Sequence, residues 1–183
     1  MSEPVLSKRE QLTERATDYA LAHGLIGLSL RPLAADLDTS DRMLIYHFGS
    51  KDALITEVLA TSNIRSTAII NAMPASPSTR RAVLDLWATF TRRDVQRCQR
   101  MYVEAAALGL FGREPYATSI RQSNAVWIEA VAGHLQHSGT TPARASRLAL
   151  LIDATFNGLF LDRPLDDDAE AGEVVGDLAR ALA

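Results

Sequence analysis

Cysteine is nearly absent from this chain of 183 residues, and Cys98 is the only one. A single thiol excludes an intrachain disulfide and any all-cysteine metal site. Arg97 and Arg100 flank it, but a lone helical cysteine reads first as a packing residue. Long apolar runs are also lacking. None approaches the roughly 18 uninterrupted residues of a membrane helix, and the opening MSEPVLSKRE has no apolar stretch of export-signal type. The cytoplasm is therefore the expected address, with no membrane partner. Sustained period-two alternation, the mark of half-buried strands, does not occur. The chain also lacks a nucleophile-elbow pattern, a phosphate-cradling glycine loop and a dinucleotide fingerprint, so an enzyme is not expected. His134 and His137 stand at a chelating i, i+3 spacing, yet no Glu-x-x-His partner accompanies them. Neither a metal nor a cofactor is expected.

Hydrophobic residues make up 47% of the chain and charged residues 22%, which is a globular composition rather than a disordered one. The formal net charge is −3, so no global basic excess advertises nucleic acid. Residues 1–52 hold six basic residues against eight acids, and residues 162–183 hold seven acids against two arginines. Any nucleic-acid contact must therefore depend on where the few cations stand.

The reading is all-α. Ser7 and Glu10 form an S-x-x-E capping box that opens a first helix, with Leu12, Ala16, Tyr19 and Ala20 inward and Gly24 at its end. Ser29 is expected to cap a short second helix in which Pro32 falls in the first turn. Leu33, Ala34 and Leu37 face inward there. After a turn at Asp38, a third helix begins at Thr39 or Ser40. Gly49 and Ser50 break it, and a long helix follows from about 51 to 73. The stretch MPASPS at 73–78 is a linker. Further helices are expected near 78–98, 100–112, 115–138, 142–162 and 167–182, about nine in all.

In TSDRMLIYHFGSKDAL, residues 39–54, Leu44 and Phe48 lie four apart on one face of the third helix. The other face carries Arg42, Met43 and Tyr46, with His47 by the turn. An ordinary solvated face prefers Lys and Glu, whereas Tyr, Met and Arg are residues that a partner covers. Helices two and three thus read as a helix-turn-helix, whose second helix enters the DNA major groove. Arg42 suits bidentate bonding to guanine, and Met43 suits a thymine methyl group. Thr39 and Ser40 offer hydroxyls and free N–H groups at a helix N-terminus. Ser29 and Arg31 join this face from the second helix, and Lys51 is placed to pin the DNA backbone. Asp41 is repulsive toward phosphate, though it suits the helix dipole or a cytosine amino group.

LRPLAADLDTSDRMLIYHFGSKDAL resembles the N-terminal signature of TetR-family transcriptional regulators. That pattern runs hydrophobic-Ala, a turn, Ser, Leu-Tyr-Tyr-His-Phe, then Ser-Lys before a long helix. The resemblance is specific over residues 8–60. Three departures stand out, one of them Asp41, which sits where many relatives carry Lys. Asp38 replaces the turn glycine, which Asp tolerates better than most residues, and Ile45 replaces the first tyrosine. The resemblance gives Tyr46 and His47 phosphate-binding roles. It implies a DNA-binding domain at residues 1–50 and a helical effector-binding and dimerisation domain at 51–183.

The resemblance also implies a homodimer that binds palindromic double-stranded operator DNA, most often as a repressor, and is released by a small-molecule effector. An effector pocket is expected among the helices between about 51 and 138. Trp87, Tyr102, Glu104 and Trp127 are its candidates, since Glu104 interrupts the nearly apolar MYVEAAALGLF. The last two helices are expected to form a four-helix dimer interface through Leu151, Ala154, Gly158, Val175 and Leu178. Asp153 and Asn157 share one face of the same helix. On the residues alone, two other readings stand beside this one: a helical protein–protein adaptor, and a small-molecule carrier without DNA binding.

Overall fold

The computed structural model describes residues 6–162 and 168–182. Among them are nine α-helices and no strand. They are α1 (Lys8–His23), α2 (Leu30–Asp36), α3 (Asp41–Phe48), α4 (Lys51–Asn71), α5 (Thr79–Phe90), α6 (Arg93–Leu110), α7 (Tyr116–His137), α8 (Pro142–Asp162) and α9 (Asp168–Ala181). None of the described helices is long and apolar enough to cross a membrane. Positions 166 and 167 of the acidic run lie outside the described residues.

Local chemistry sets most of these boundaries. At α1 the capping box is complete: the Ser7 hydroxyl accepts from the Glu10 N–H, and the Glu10 carboxylate accepts from the Ser7 N–H. Gly24 ends the helix at φ +84°. Ser29 does stand at the start of α2, but its side chain makes no capping bond there. Its expected hydroxyl cap is thus corrected, and the extended Ser29 backbone alone begins the helix. Ser40 does cap α3, accepting from the Met43 N–H at 3.2 Å. Asp38 adopts φ +52°, the left-handed turn that its residue type tolerates.

One boundary differs from expectation. The helix expected over 78–98 ends at Phe90, and α6 begins at Arg93. No glycine or proline marks this break. It is held by charge: Arg92 pairs with Asp94 at 2.7 Å, and Asp94 accepts from the Val95 N–H at 3.0 Å. The arginine also draws the Asp94 pKa downward, chiefly through their hydrogen bond.

Contacts divide the chain into two compact units, Met1–Arg65 with Arg97–Asn124, and Ser66–Gln96 with Ala125–Ala183. Long helices α4, α6 and α7 contribute to both. The first unit has a core of Leu12, Ala16, Leu33, Leu37, Leu44 and Phe48, extended by Leu54, Ile55, Met101 and Ala105. Arg65 reaches from α4 to Glu14 and Asp18 of α1, and Arg9 reaches from α1 to Glu57 of α4. Within this unit α6 and α7 approach closely at Gly109, where an added Cβ would lie 3.1 Å from the Ala117 Cα. The second unit packs α5 against α8 and α9 around Phe90, Phe156, Ile152 and Val175.

Candidate nucleic-acid interface

The inner face of the α2–turn–α3 segment is committed to the core. Leu33, Leu37, Leu44 and Phe48 are buried, with Leu44 0% exposed. The turn is closed by backbone bonds from the Leu37 N–H to Leu33 and from the Thr39 N–H to Ala34. With Leu44 and Phe48 fixed inward, helical geometry turns the intervening residues out. Tyr46 is 77% exposed and Met43 41% exposed. Arg42, Ser40, Ser29 and Arg31 are exposed too, while Thr39, His47 and Lys51 are half-buried. All nine candidate DNA-contacting residues therefore belong to the same small unit, on or beside α2 and α3.

Charge is distributed by pairing. Among the acids of the first unit, Glu14 and Asp18 pair with Arg65, Glu57 with Arg9, and Asp38 with Arg15. Glu10 is spent on its capping box, which holds its pKa below the usual carboxylate range. Arg31 and Arg42 form no ion pair among the described residues. Asp41 accepts from the Arg42 N–H at 3.0 Å, in the first turn of α3, where a carboxylate favours the helix dipole. The Lys51 ammonium group donates to the Leu28 carbonyl, bracing the segment before α2.

The expected effector residues fall in two places. Tyr102 and Glu104 belong to the first unit, and Trp87 and Trp127 to the second. The Glu104 carboxylate accepts from the N–H groups of Leu25 and Ile26 at 2.6 and 2.8 Å. Sequence reading had no signal for this bond, because its partners are backbone groups nearly eighty residues away. Trp87 and Trp127 flank an aromatic cluster. Trp87 lies edge-on to Phe156 with centroids 4.9 Å apart, and Phe90 lies 6.3 Å from Trp127. Beside them, burial raises the Asp153 pKa, while hydrogen bonds from Asn157 and the Trp127 side chain pull it back. The Asn157 amide donates to Asp153 at 2.9 Å, so this pair is joined within one helix.

Of the expected interface residues, Leu151 is 45% exposed and Ala154 is exposed, with Leu150 and Leu161 on the same side of α8. Gly158 and Leu178 are half-buried. Val175 points the other way and is 0% exposed, inside the chain's own core. His134 bonds with Ser76 at 3.4 Å, and no group of three or more metal-ligating side chains occurs among the described residues.

No protein-family profile matches the sequence, and no curated protein matches it either. Solved structures do match, over nearly the whole chain. A transcriptional regulator from Rhodococcus sp. Rha1 superposes with a TM-score of 0.75 at 22% identity, covering 96% of this chain and 95% of that one. A TetR transcriptional regulator from Legionella pneumophila gives 0.73 at 17% identity, with 98% of each chain covered. The multidrug binding protein EbrR complexed with proflavin gives 0.71 at 23% identity, covering 97% and 100%. The fold is that of the TetR-family transcriptional regulators.

Proposed function

We propose, from a chain that carries the TetR-family fold, that it is a homodimeric transcriptional regulator of repressor type that binds palindromic operator DNA. Residues 1–50 are the DNA-binding part and residues 51–183 the effector-binding and dimerising part. The observation that supports this best is the outer face of α3. Arg42, Met43 and Tyr46 are exposed opposite buried Leu44 and Phe48, and Arg31 and Arg42 lack ion-pair partners among the described residues. Four of the unit's acids, Glu14, Asp18, Asp38 and Glu57, are meanwhile paired with Arg9, Arg15 and Arg65 rather than with the arginines of the outer face. Arg42 and Met43 read base edges, and Thr39, Ser40, Tyr46 and His47 meet phosphates. A dimer sets two such helices in successive major grooves, about 34–36 Å apart.

The exposed apolar side of α8, with Leu151, Ala154 and Gly158, is the proposed subunit contact; Leu178 flanks it, and Val175 supports it from within. A small-molecule effector binds beside Trp87 and Trp127, an apolar setting with a few placed polar groups of the sort such sites use. The likeness to EbrR, crystallised with proflavin, favours an effector of this general kind. Effector and DNA are coupled by the effector's preference for one conformer, typically about 1–3 kcal/mol in such systems. The protein acts in the cytoplasm and catalyses nothing.

Selection of bound fragments from sheared genomic DNA tests the proposal. Enrichment of a palindromic sequence is the expected result. Failure of any duplex to be retained, with capture of a protein partner instead, would leave the adaptor reading standing.

A further inference from the structure

The corner between α1 and α2 presents a problem that its own sequence does not solve. α1 ends at Gly24, whose N–H still bonds back to the Ala20 carbonyl at 2.8 Å. The next two N–H groups, of Leu25 and Ile26, find no backbone acceptor. Leu25 is 1% exposed, and a buried N–H without a partner is costly. Both are met by one atom, Glu104 Oε2 of α6, at 2.6 and 2.8 Å. These are charge-assisted bonds, shorter and stronger than neutral ones.

Gly24 makes this possible. It sits at φ +84°, and a Cβ built there would lie 2.7 and 2.9 Å from the two Glu104 carboxylate oxygens. Only glycine leaves room for the carboxylate against the backbone. Four residues on, the Leu28 carbonyl accepts from the Lys51 ammonium group. The five-residue corner is thus gripped at its N–H groups by an anion and at a carbonyl by a cation, on elements outside the helix-turn-helix.

We infer that Glu104 is the positioning residue of the DNA-binding head, fixing the α1–α2 corner and with it the direction in which α2 and α3 are presented. This rests on the DNA-binding reading above. It also gives Glu104 a different task from effector contact, since the carboxylate is engaged by backbone within its own unit. All the groups involved, Gly24, Leu25, Ile26, Leu28, Lys51 and Glu104, belong to the first compact unit.

The test compares full-length wild type, Glu104→Ala and Glu104→Gln by residue-resolved amide hydrogen exchange and by gel retention of genomic fragments enriched on the wild type. Glu104→Ala is expected to speed exchange at Leu25 and Ile26, to leave the α3 amides as protected as before, and to weaken retention roughly tenfold, as loss of charge-assisted bonds implies. Glu104→Gln keeps one acceptor oxygen and should restore part of both. If Glu104→Ala does not fold, the Gln variant carries the comparison alone, with the same directions expected. Unchanged exchange at Leu25 and Ile26 overturns the contact. Faster exchange with undiminished retention overturns the positioning role and leaves a structural staple. A wild type that retains no fragment sinks the DNA reading and the positioning role together, while the exchange data still decide whether the carboxylate grips the corner.

Discussion

Arg15 of α1 holds Asp38 across the head of the protein. Its guanidinium lies 3.2 Å from the Asp38 carboxylate and 3.0 Å from the Asp36 carbonyl. The residue at φ +52° in the turn between α2 and α3 is therefore also the one anchored to the first helix. Both partners are largely exposed, so the ion pair itself contributes at most about 1 kcal/mol. The backbone dominates. Asp38→Val, which forces a β-branched residue into the left-handed region, is expected to cost about 1–2 kcal/mol. Asp38→Gly relieves the backbone while losing the pair, and should stay within about 1 kcal/mol of wild type. Urea-unfolding midpoints check both.

Arg42 and Lys51 are predicted to separate by phenotype. Arg42→Ala should relax base preference at one operator position by roughly 1–3 kcal/mol and leave the melting temperature unchanged. Lys51→Ala should weaken every sequence alike. Because it also releases the Leu28 carbonyl, it should lower the melting temperature as well. Binding isotherms on matched and substituted duplexes, with thermal melts of the free protein, give the comparison.

His134 makes stability depend on pH. It is buried, and burial lowers its pKa from 6.5, with Asp85 acting against that and His137 with it. The unfolded chain therefore takes up the proton first. The stabilisation is fully present above about pH 6.5 and is lost as pH falls toward the folded value, by up to about 1.4 kcal/mol per pH unit. The Ser76 hydroxyl, which donates to Asp85 at 2.7 Å and lies 3.4 Å from His134 Nε2, shares the site. Replacing His134 with Gln should flatten the curve between about pH 7 and pH 5. An equal slope in both proteins would assign the titration elsewhere.

The two apolar faces of the last helices predict opposite results. Leu151→Glu, on the exposed side of α8, should yield monomers in sedimentation while the melting temperature of dilute protein changes little. Val175→Ala, inside the core, should leave the association state alone and cost about 1–3 kcal/mol of folding stability.

Much of this was legible in the sequence because it is encoded locally. The Ser7–Glu10 box, the Asp38 turn and the 4-residue spacing of Leu44 and Phe48 each carry their own geometry. The break between α5 and α6 was not legible: Thr91 and Arg92 are ordinary helix-compatible residues, and only the Arg92–Asp94 pair reveals a new start. Val175 shows a second limit. In EVVGDLARALA apolar residues lie on several faces, and periodicity does not say which of them the chain itself covers. Glu104 shows a third. An acid in an apolar helix signals that something nearby is satisfied by charge, but backbone donors leave no trace in residue identity.

The division of the chain into two units also divides its chromophores. Tyr19, Tyr46, Tyr102 and Tyr116 all fall in the first unit, and Trp87 and Trp127 both fall in the second. Indole emission consequently watches one half of the molecule and is blind to local loosening in the other, where only phenols report.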